Sequence, residues 1–282
     1  MEMPSRFLSS QPDIRGDAGV PDGRELKACC ASLYEAGIVR YLLGESFHPG
    51  GLALTGRLGE ALGLGPADVV LDVACGQGAS ACYLAKTFGC RVVGVDLSEA
   101  SLHHARQRAV AEGVADRVRC LRGDAERIPA SDGQFTTAVC ECSLCLFPDK
   151  PAALRDVHRA LRPLGRIGIT DVALDPERLP AEWRGTLSRA ACLGDARPAS
   201  EYRRLLQDAG FTDLLVEDHA AALREMAQGI GKRILLAKIA QGLGKLDPGM
   251  LDLDEALRVV KAAGRLIDDG TITYVLLTGV RP

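Results

Sequence analysis

Short apolar runs alternate with longer stretches of helical periodicity along most of the chain. The apolar runs predict buried strands at 69–74, 91–95, 118–122, 135–142, 166–172, 211–218 and 271–279. The patterns around them predict helices at 24–43, 52–62, 78–88, 98–112, 151–161, 201–209, 222–243 and 253–268. Because strands that alternate with helices form mostly parallel sheets, we expect an α/β fold with helices on both faces of the sheet.

We expect four segments along the chain. Residues 1–23 are polar and rich in Pro and Gly, which predicts a flexible arm, and 24–64 form an N-terminal helical lid. Residues 65–200 form the core, and 201–282 complete the sheet on the substrate side with a helical insertion. No apolar run approaches the roughly 18 residues of a membrane span, and no signal peptide is recognisable, so we expect a cytoplasmic protein without membrane association.

Composition and charge narrow the range of partners. Of 282 residues, 47% are hydrophobic and 25% charged, and the net charge of −3 argues against a broad nucleic-acid or anionic-membrane surface. With 6 Phe, 5 Tyr and 1 Trp, a base-stacking platform is not expected. We therefore expect a small-molecule partner, no nucleic acid and, by default, a monomer. The ten cysteines indicate thiols kept reduced for metal binding or catalysis.

A glycine-containing loop follows the first predicted strand, with the sequence Asp72-Val-Ala74-Cys-Gly76-Gln-Gly78. Glycines at such a place allow a tight turn and the close approach of a ligand to the backbone. Asp96 ends the next strand, where an acid accepts hydrogen bonds from a ribose diol.

The third predicted strand is followed by Gly-Asp124-Ala125, a position for an acidic contact to an adenine amino group. A dinucleotide oxidoreductase also combines a glycine-rich turn with a distal acid. However, Ala79 follows Gly78 here, and the third glycine of that motif is missing at its expected spacing.

The layout over about 65–175 resembles the class I S-adenosylmethionine (SAM)-dependent methyltransferases. Asp72 matches the acid that opens the family's glycine motif, Asp96 the ribose acid and Asp124 the adenine acid. Ala74 departs from the family, which usually has its first glycine there. The resemblance implies a Rossmann-like sheet and SAM as cofactor. The cofactor-binding residues that we expect are Asp72, Ala74, Gly76, Gly78, Asp96, Leu97, Asp124, Ala125 and Cys140.

Two cysteines are placed near the methyl donor by topology alone. Cys82 lies at the start of the helix after the glycine loop, and Cys142 lies at the end of the fourth strand. Ligands of open α/β sheets bind outside the carboxyl ends of the strands. The helix dipole is expected to favour a thiolate at Cys82. Cys140 is expected on the same face of its strand as Cys142, because side chains alternate with a period of two.

Four cysteine-containing strings resemble those of the arsenite SAM methyltransferases. These strings are Leu-Lys-Ala-Cys29-Cys30, Cys82-Tyr, Cys142-Ser-Leu-Cys-Leu-Phe-Pro-Asp-Lys and Cys192-Leu-Gly. The resemblance implies that Cys142, Cys192 and Cys30 hold trivalent arsenic. It also implies that Cys30 and Cys82 supply further thiolates and a disulfide that forms during turnover, with Cys29 as a substitute for Cys30.

The function that this resemblance implies is transfer of the SAM methyl group to thiolate-bound arsenite or methylarsenite, for detoxification. Trivalent arsenic is soft, so thiolates suit it, and its lone pair attacks without a general base. A thioredoxin-type protein or glutathione would reduce the resulting disulfide. Two features depart from the family: Glu141 replaces the usual Asn, and His48 lies in an unexpected Gly/Pro turn.

Three alternatives stay open at the level of sequence. One is a methyltransferase of the quinone or sterol type that acts on carbon, nitrogen or oxygen. Another is methylation of a different soft element, namely antimony, selenium, tellurium or mercury. The third is a non-catalytic metalloid sensor.

Overall fold

The computed structural model describes residues 48–180, 195–243 and 252–282. The predicted arm at 1–23, most of the lid at 24–64, and Cys29, Cys30 and Cys192 lie outside the described residues. The four-segment division therefore stays a prediction.

Seven strands form a single sheet. They are β1 (Val69–Val73), β2 (Arg91–Asp96), β3 (Val118–Arg122), β4 (Phe135–Glu141), β5 (Leu161–Leu174), β6 (Thr212–Asp218) and β7 (Ile272–Val280). Their spatial order is β3-β2-β1-β4-β5-β7-β6. The first five strands pair in parallel, and β7 lies antiparallel to both β5 and β6.

Of the helices that the structure describes, the first precedes β1 and the others lie in connections between strands. They are α1 (Gly51–Ala61), α2 (Ala79–Phe88), α3 (Glu99–Ala111), α4 (Lys150–Ala160), α5 (Ala199–Asp208), α6 (Ala220–Gly242) and α7 (Leu253–Asp268), with a 3₁₀ turn at Leu144–Leu146. Among them, no helix is long and apolar enough to cross a bilayer.

The sheet separates two hydrophobic cores. One contains Leu58 of α1, Leu84 of α2 and Leu102 of α3, together with Leu266 of α7. The other packs α4 and α5 against the opposite face. The predicted Rossmann-like sheet with helices on both faces is thus confirmed, and α6 and α7 form the helical insertion before β7.

Strand order reverses between β1 and β4, since successive strands run from β1 toward β3 on one side and from β4 toward β5 on the other. The carboxyl ends of strands at such a reversal border a crevice in which ligands of open α/β sheets bind. The loops after β1, β2 and β4 all lie at this edge.

Candidate functional site

The loop after β1 turns through three residues with left-handed backbone angles. Ala74 has φ 58°, Gly76 has φ 52° and Gly78 has φ 75°. The Gly78 amide donates to the Cys75 carbonyl at 2.9 Å, which closes the turn into α2. A Cβ on Gly78 would approach the Cβ of Ala105 to 2.8 Å, so this glycine allows α2 and α3 to pack closely. Ala74 occupies a conformation that glycine adopts more easily, which explains why the family usually has glycine there.

Asp96 is held by two backbone donors. Its Oδ2 accepts a hydrogen bond from the Gly76 amide at 2.9 Å, and its Oδ1 accepts one from the Ser98 amide at 2.8 Å. The carboxylate is therefore oriented before any ligand arrives, and it ties the end of β2 to the loop after β1. Asp124, after β3, accepts from the Glu126 amide at 3.0 Å.

Asp72 lies near the end of β1 and is only 2% exposed. Burial raises the pKa of its carboxyl group well above the ordinary range, and the nearby carboxylates of Glu141 and Asp96 raise this pKa further. Its Oδ2 is buried and has no hydrogen-bond partner among the described residues. A buried polar atom of this kind calls for a polar ligand.

Space remains beside the loop. A Cβ added at Gly76 would meet no atom of residues 48–180, 195–243 or 252–282 within 4 Å, although the same residue's amide holds Asp96. The unpartnered Asp72, the oriented Asp96 and the room at Gly76 together fit a ligand that carries hydroxyl groups and positive charge. SAM is such a ligand.

Cys82 lies in the first turn of α2, as predicted, but it is completely buried. Burial raises the pKa of the thiol to about 12, and the Glu112 carboxylate contributes in the same direction. The expectation of a thiolate at Cys82 is therefore wrong in this conformation. Loss of hydration disfavours the charged thiolate more than the helix dipole favours it.

Cys140 and Cys142 lie on opposite faces of the sheet, so the expectation of a shared face is wrong. Cys140 belongs to the core under α4 and α5, and burial raises the pKa of its thiol well above the ordinary range. Cys142 packs against the other core and is partly exposed. The reason is local: β4 ends at Glu141, and Cys142 has φ 52°, which breaks the alternation.

The expected thiolate ligands are not brought together in the part of the chain that the structure describes. No group of three or more His, Cys, Asp or Glu side chains within residues 48–180, 195–243 and 252–282 could hold a metal ion. Of the three cysteines assigned to arsenic, only Cys142 falls in these ranges. The proposed arsenic ligand set stays a prediction.

The loop after β4 is organised by Lys150, whose side chain is 5% exposed. Its Nζ donates to the carbonyl oxygens of Cys145 and Phe147, each at 3.1 Å, and to the Asp195 carboxylate. Asp149 caps α4 by accepting from the Ala152 amide at 2.8 Å. The Asp-Lys pair in the string that resembles arsenite methyltransferases thus has structural roles that are independent of arsenic.

The side chains of His48, Thr55 and Glu141 form a buried polar group near Asp72. The sequence did not predict that these three side chains would meet. Thr55 of α1 donates to Oε2 of Glu141 at 3.0 Å, and His48 Nε2 lies 3.9 Å from the same oxygen. Two unusual positions in the sequence could have indicated this group: His48 in a Gly/Pro turn, and Glu141 at the end of an apolar strand.

Comparisons with known proteins define the class. A methyltransferase-domain family profile matches residues 70–165. Methyltransferase GfsG from Streptomyces halstedii is 31% identical over 239 residues, which cover 82% of this chain and 81% of that protein. The chain belongs to the class I SAM-dependent methyltransferases.

Other relatives are similar over part of their length. Phosphoethanolamine N-methyltransferase 1 from Arabidopsis thaliana is 33% identical over 186 residues, or 65% of this chain and 37% of the relative. The structure of Haemonchus contortus phosphoethanolamine N-methyltransferase 2 with phosphomonomethylethanolamine and S-adenosylhomocysteine superposes with a TM-score of 0.78, at 22% identity, over 93% of this chain and 61% of that chain. This likeness concerns the fold, and the names of these three relatives do not refer to arsenic.

Proposed function

We propose that this protein transfers the methyl group of SAM to a small-molecule acceptor bound at the carboxyl ends of β1 and β4. The observation that carries the proposal is the Asp96 carboxylate, which the Gly76 amide holds at 2.9 Å beside the point of strand-order reversal. An acid fixed in this place is suited to accept hydrogen bonds from a ribose diol.

The remaining cofactor contacts follow from the loops at the same edge. Asp96 and Leu97 would hold the ribose, and Asp124 and Ala125 the adenine. The backbone of the loop that contains Ala74, Gly76 and Gly78 would lie against the methionine part. Cys140, whose thiol is in the core, would contribute through its backbone.

The charges of this region complement the cofactor. Bound SAM supplies an electrophilic methyl carbon on a positively charged sulfonium. Asp72 has two carboxylates close enough to raise its pKa, those of Glu141 and Asp96. A cation placed among these groups would relieve their mutual repulsion, which supports a cationic ligand here. The other task of these residues is positioning, since methyl transfer needs an aligned donor and acceptor about 3–3.5 Å apart.

A second candidate acceptor is thiolate-bound trivalent arsenic, as arsenite or methylarsenite. The observation that favours it is the position of Cys142, which is partly exposed directly after the carboxyl end of β4. Cys30 and Cys192 would complete the ligands, and thioredoxin or glutathione would act as reductant. Cys82 would have to leave its buried position to take part. Related soft elements would bind by the same chemistry.

One set of assays separates the candidates. SAM affinity is measured by calorimetry, and methyl transfer from labelled SAM is followed with phosphoethanolamine, sarcosine, catechol, or arsenite with glutathione. Transfer to one of the first three supports a small-molecule acceptor with an O–H or N–H group. Arsenite methylation that disappears in Cys142→Ser and Cys192→Ser, but persists in Cys120→Ser, supports the second candidate. Absence of SAM binding contradicts both.

A further inference from the structure

Three polar side chains from two distant segments of the chain meet at the carboxyl end of β4. His48 precedes α1, Thr55 belongs to α1 and Glu141 is the last residue of β4. The side chains of His48 and Glu141 are 8% and 4% exposed. Thr55 Oγ1 donates to Glu141 Oε2 at 3.0 Å and lies 3.4 Å from His48 Nε2.

The surroundings of His48 determine which ring nitrogen carries the proton. Nδ1 lies 3.2 Å from the carbonyl oxygen of Pro49, which can only accept, so this contact favours the tautomer with hydrogen on Nδ1. In the neutral ring, Nε2 then keeps its lone pair. Its neighbours in the described ranges are Thr55 Oγ1 at 3.4 Å and Glu141 Oε2 at 3.9 Å, both beyond the usual hydrogen-bond length. In the tautomer with hydrogen on Nδ1, Nε2 can therefore accept a proton.

Glu141 would stabilise the ring once it is protonated. A buried carboxylate is costly unless it is paired and hydrogen-bonded, and Thr55 supplies one neutral donor. A proton on Nε2 would place an imidazolium beside Glu141 and give Nε2–H an acceptor in Thr55 or Glu141. The 3.9 Å contact between Nε2 and Oε2 of Glu141 would then join groups of opposite charge.

We propose that His48 is the general base of the methyl transfer, that Glu141 and Thr55 position it, and that the acceptor therefore carries an O–H or N–H group. This inference rests on the proposed function and specifies its substrate class. The acceptor oxygen or nitrogen forms a bond to the methyl carbon, the carbon–sulfur bond breaks, and its electron pair stays on sulfur. The acceptor proton passes to Nε2 of His48, so the positive charge lost from the sulfonium reappears on the imidazolium.

This chemistry separates the acceptor classes. An arsenic lone pair carries no proton to remove, so a base beside the methyl group would have no role in its methylation. Other ionisable groups near the pair are Asp72 of β1, whose pKa Glu141 raises, and Tyr274 of β7, whose pKa Cys142 and Glu141 influence. Burial raises the pKa values of Asp72 and Tyr274, and the carboxyl group that faces His48 is that of Glu141, whose Oε2 lies 3.9 Å from Nε2.

The test compares His48→Gln and Glu141→Gln with matched controls on exposed helix positions, His104→Gln and Glu60→Gln. Labelled SAM is supplied with phosphoethanolamine, sarcosine or catechol as acceptor. In His48→Gln we expect kcat to fall about 100-fold or more, in the range typical of a lost general base. We expect SAM affinity and the acceptor KM to stay within about threefold, and the controls to match the parent.

The pH profile distinguishes a base from a packing residue. The parent rate should rise with pH on the acidic side, and this rise should be absent in His48→Gln. A His48→Gln enzyme that keeps kcat within twofold, or keeps the acidic rise, would overturn the proposal. Methylation of arsenite but of none of the three protic acceptors would also overturn it.

A measurement on the unmodified protein needs no acceptor. Nitrogen NMR of ¹⁵N-histidine-labelled protein, with His48 assigned by comparison with His48→Gln or a second variant, His48→Asn, reports the tautomer. Hydrogen on Nδ1 with an unprotonated Nε2 is expected, and hydrogen on Nε2 would overturn the inference. If SAM does not bind, the proposed function itself fails. If SAM binds but the tautomer is reversed, only the assignment of His48 fails.

Discussion

The amide of Gly76 donates a 2.9 Å hydrogen bond to Oδ2 of Asp96, across the gap between the loop after β1 and the end of β2. The second oxygen of the carboxylate is held by the Ser98 amide. One side chain therefore fixes the conformation of the loop and presents an acid to the proposed ribose site. Its removal should affect the loop and the ligand contact together.

We expect Asp96→Ala to weaken SAM binding by about 1–3 kcal/mol, the usual cost of losing a charged hydrogen-bond partner. Calorimetric titration with SAM or S-adenosylhomocysteine measures the change. Asp116→Ala is the control, because the Asp116 side chain is 73% exposed and lies near the amino end of β3, opposite the carboxyl ends of the parallel strands. An affinity in Asp96→Ala equal to that of the control would contradict the role of Asp96.

Ala74→Gly should raise the free energy of unfolding by about 0.5–1 kcal/mol. Ala74 has φ 58°, and the left-handed region costs a residue with a Cβ about 1–2 kcal/mol, more than the entropy that glycine loses on folding. Ala111→Gly, at the last position of α3, should instead lower stability, since an ordinary helical angle gains nothing from glycine. Urea unfolding of both variants checks the opposite signs, and a loss of stability in Ala74→Gly would refute the strain.

Cys82 should resist alkylation in the folded protein, whereas Cys142 should react. The pKa of Cys82 is raised to about 12, so its thiol stays protonated between pH 7 and 10, and the thiolate is the reactive form. Iodoacetamide treatment followed by peptide mass spectrometry measures both sites. In guanidinium chloride both should react, which is the control. Equal labelling of Cys82 and Cys142 in the native protein would show that Cys82 leaves its buried position.

Lys150→Met should lower stability by about 1–3 kcal/mol, because it leaves the carbonyl groups of Cys145 and Phe147 without their ammonium donor. Urea unfolding gives the change. Lys86→Met, on an exposed position of α2, should be nearly neutral. A Lys150→Met variant as stable as Lys86→Met would mean that Lys150 does not organise the loop after β4.

The order of strands and helices was predictable because hydrophobic periodicity is a local property of the chain. The glycine loop and Asp96 were predictable for a similar reason: both lie at the ends of predicted strands, and parallel strands bring their carboxyl ends to one edge. The helix predicted up to residue 161 ends at Ala160, and Leu161 already pairs with Phe135 in the sheet. Such boundaries depend on pairing with a distant strand, which local patterns do not contain.

The chemistry of individual side chains depended on neighbours that the sequence does not reveal. The position of Cys82 in the first turn of a helix suggested a thiolate, but tertiary packing removed it from water and raised its pKa instead. The side chains of Cys140 and Cys142 were expected on one face of the strand, but Cys142 has a left-handed backbone angle that interrupts the alternation of side chains. These outcomes follow from burial and backbone conformation, which arise only when the elements pack.

The sequence by itself determined the fold class and the position of the glycine loop after β1, since both follow from short-range periodicity and spacing. Only the tertiary structure brought Thr55 to Glu141, a partner 86 positions away, and placed His48 beside them in a region shielded from water. The physical reason is that the protonation and pairing of buried polar groups depend on contacts between segments that are distant along the chain.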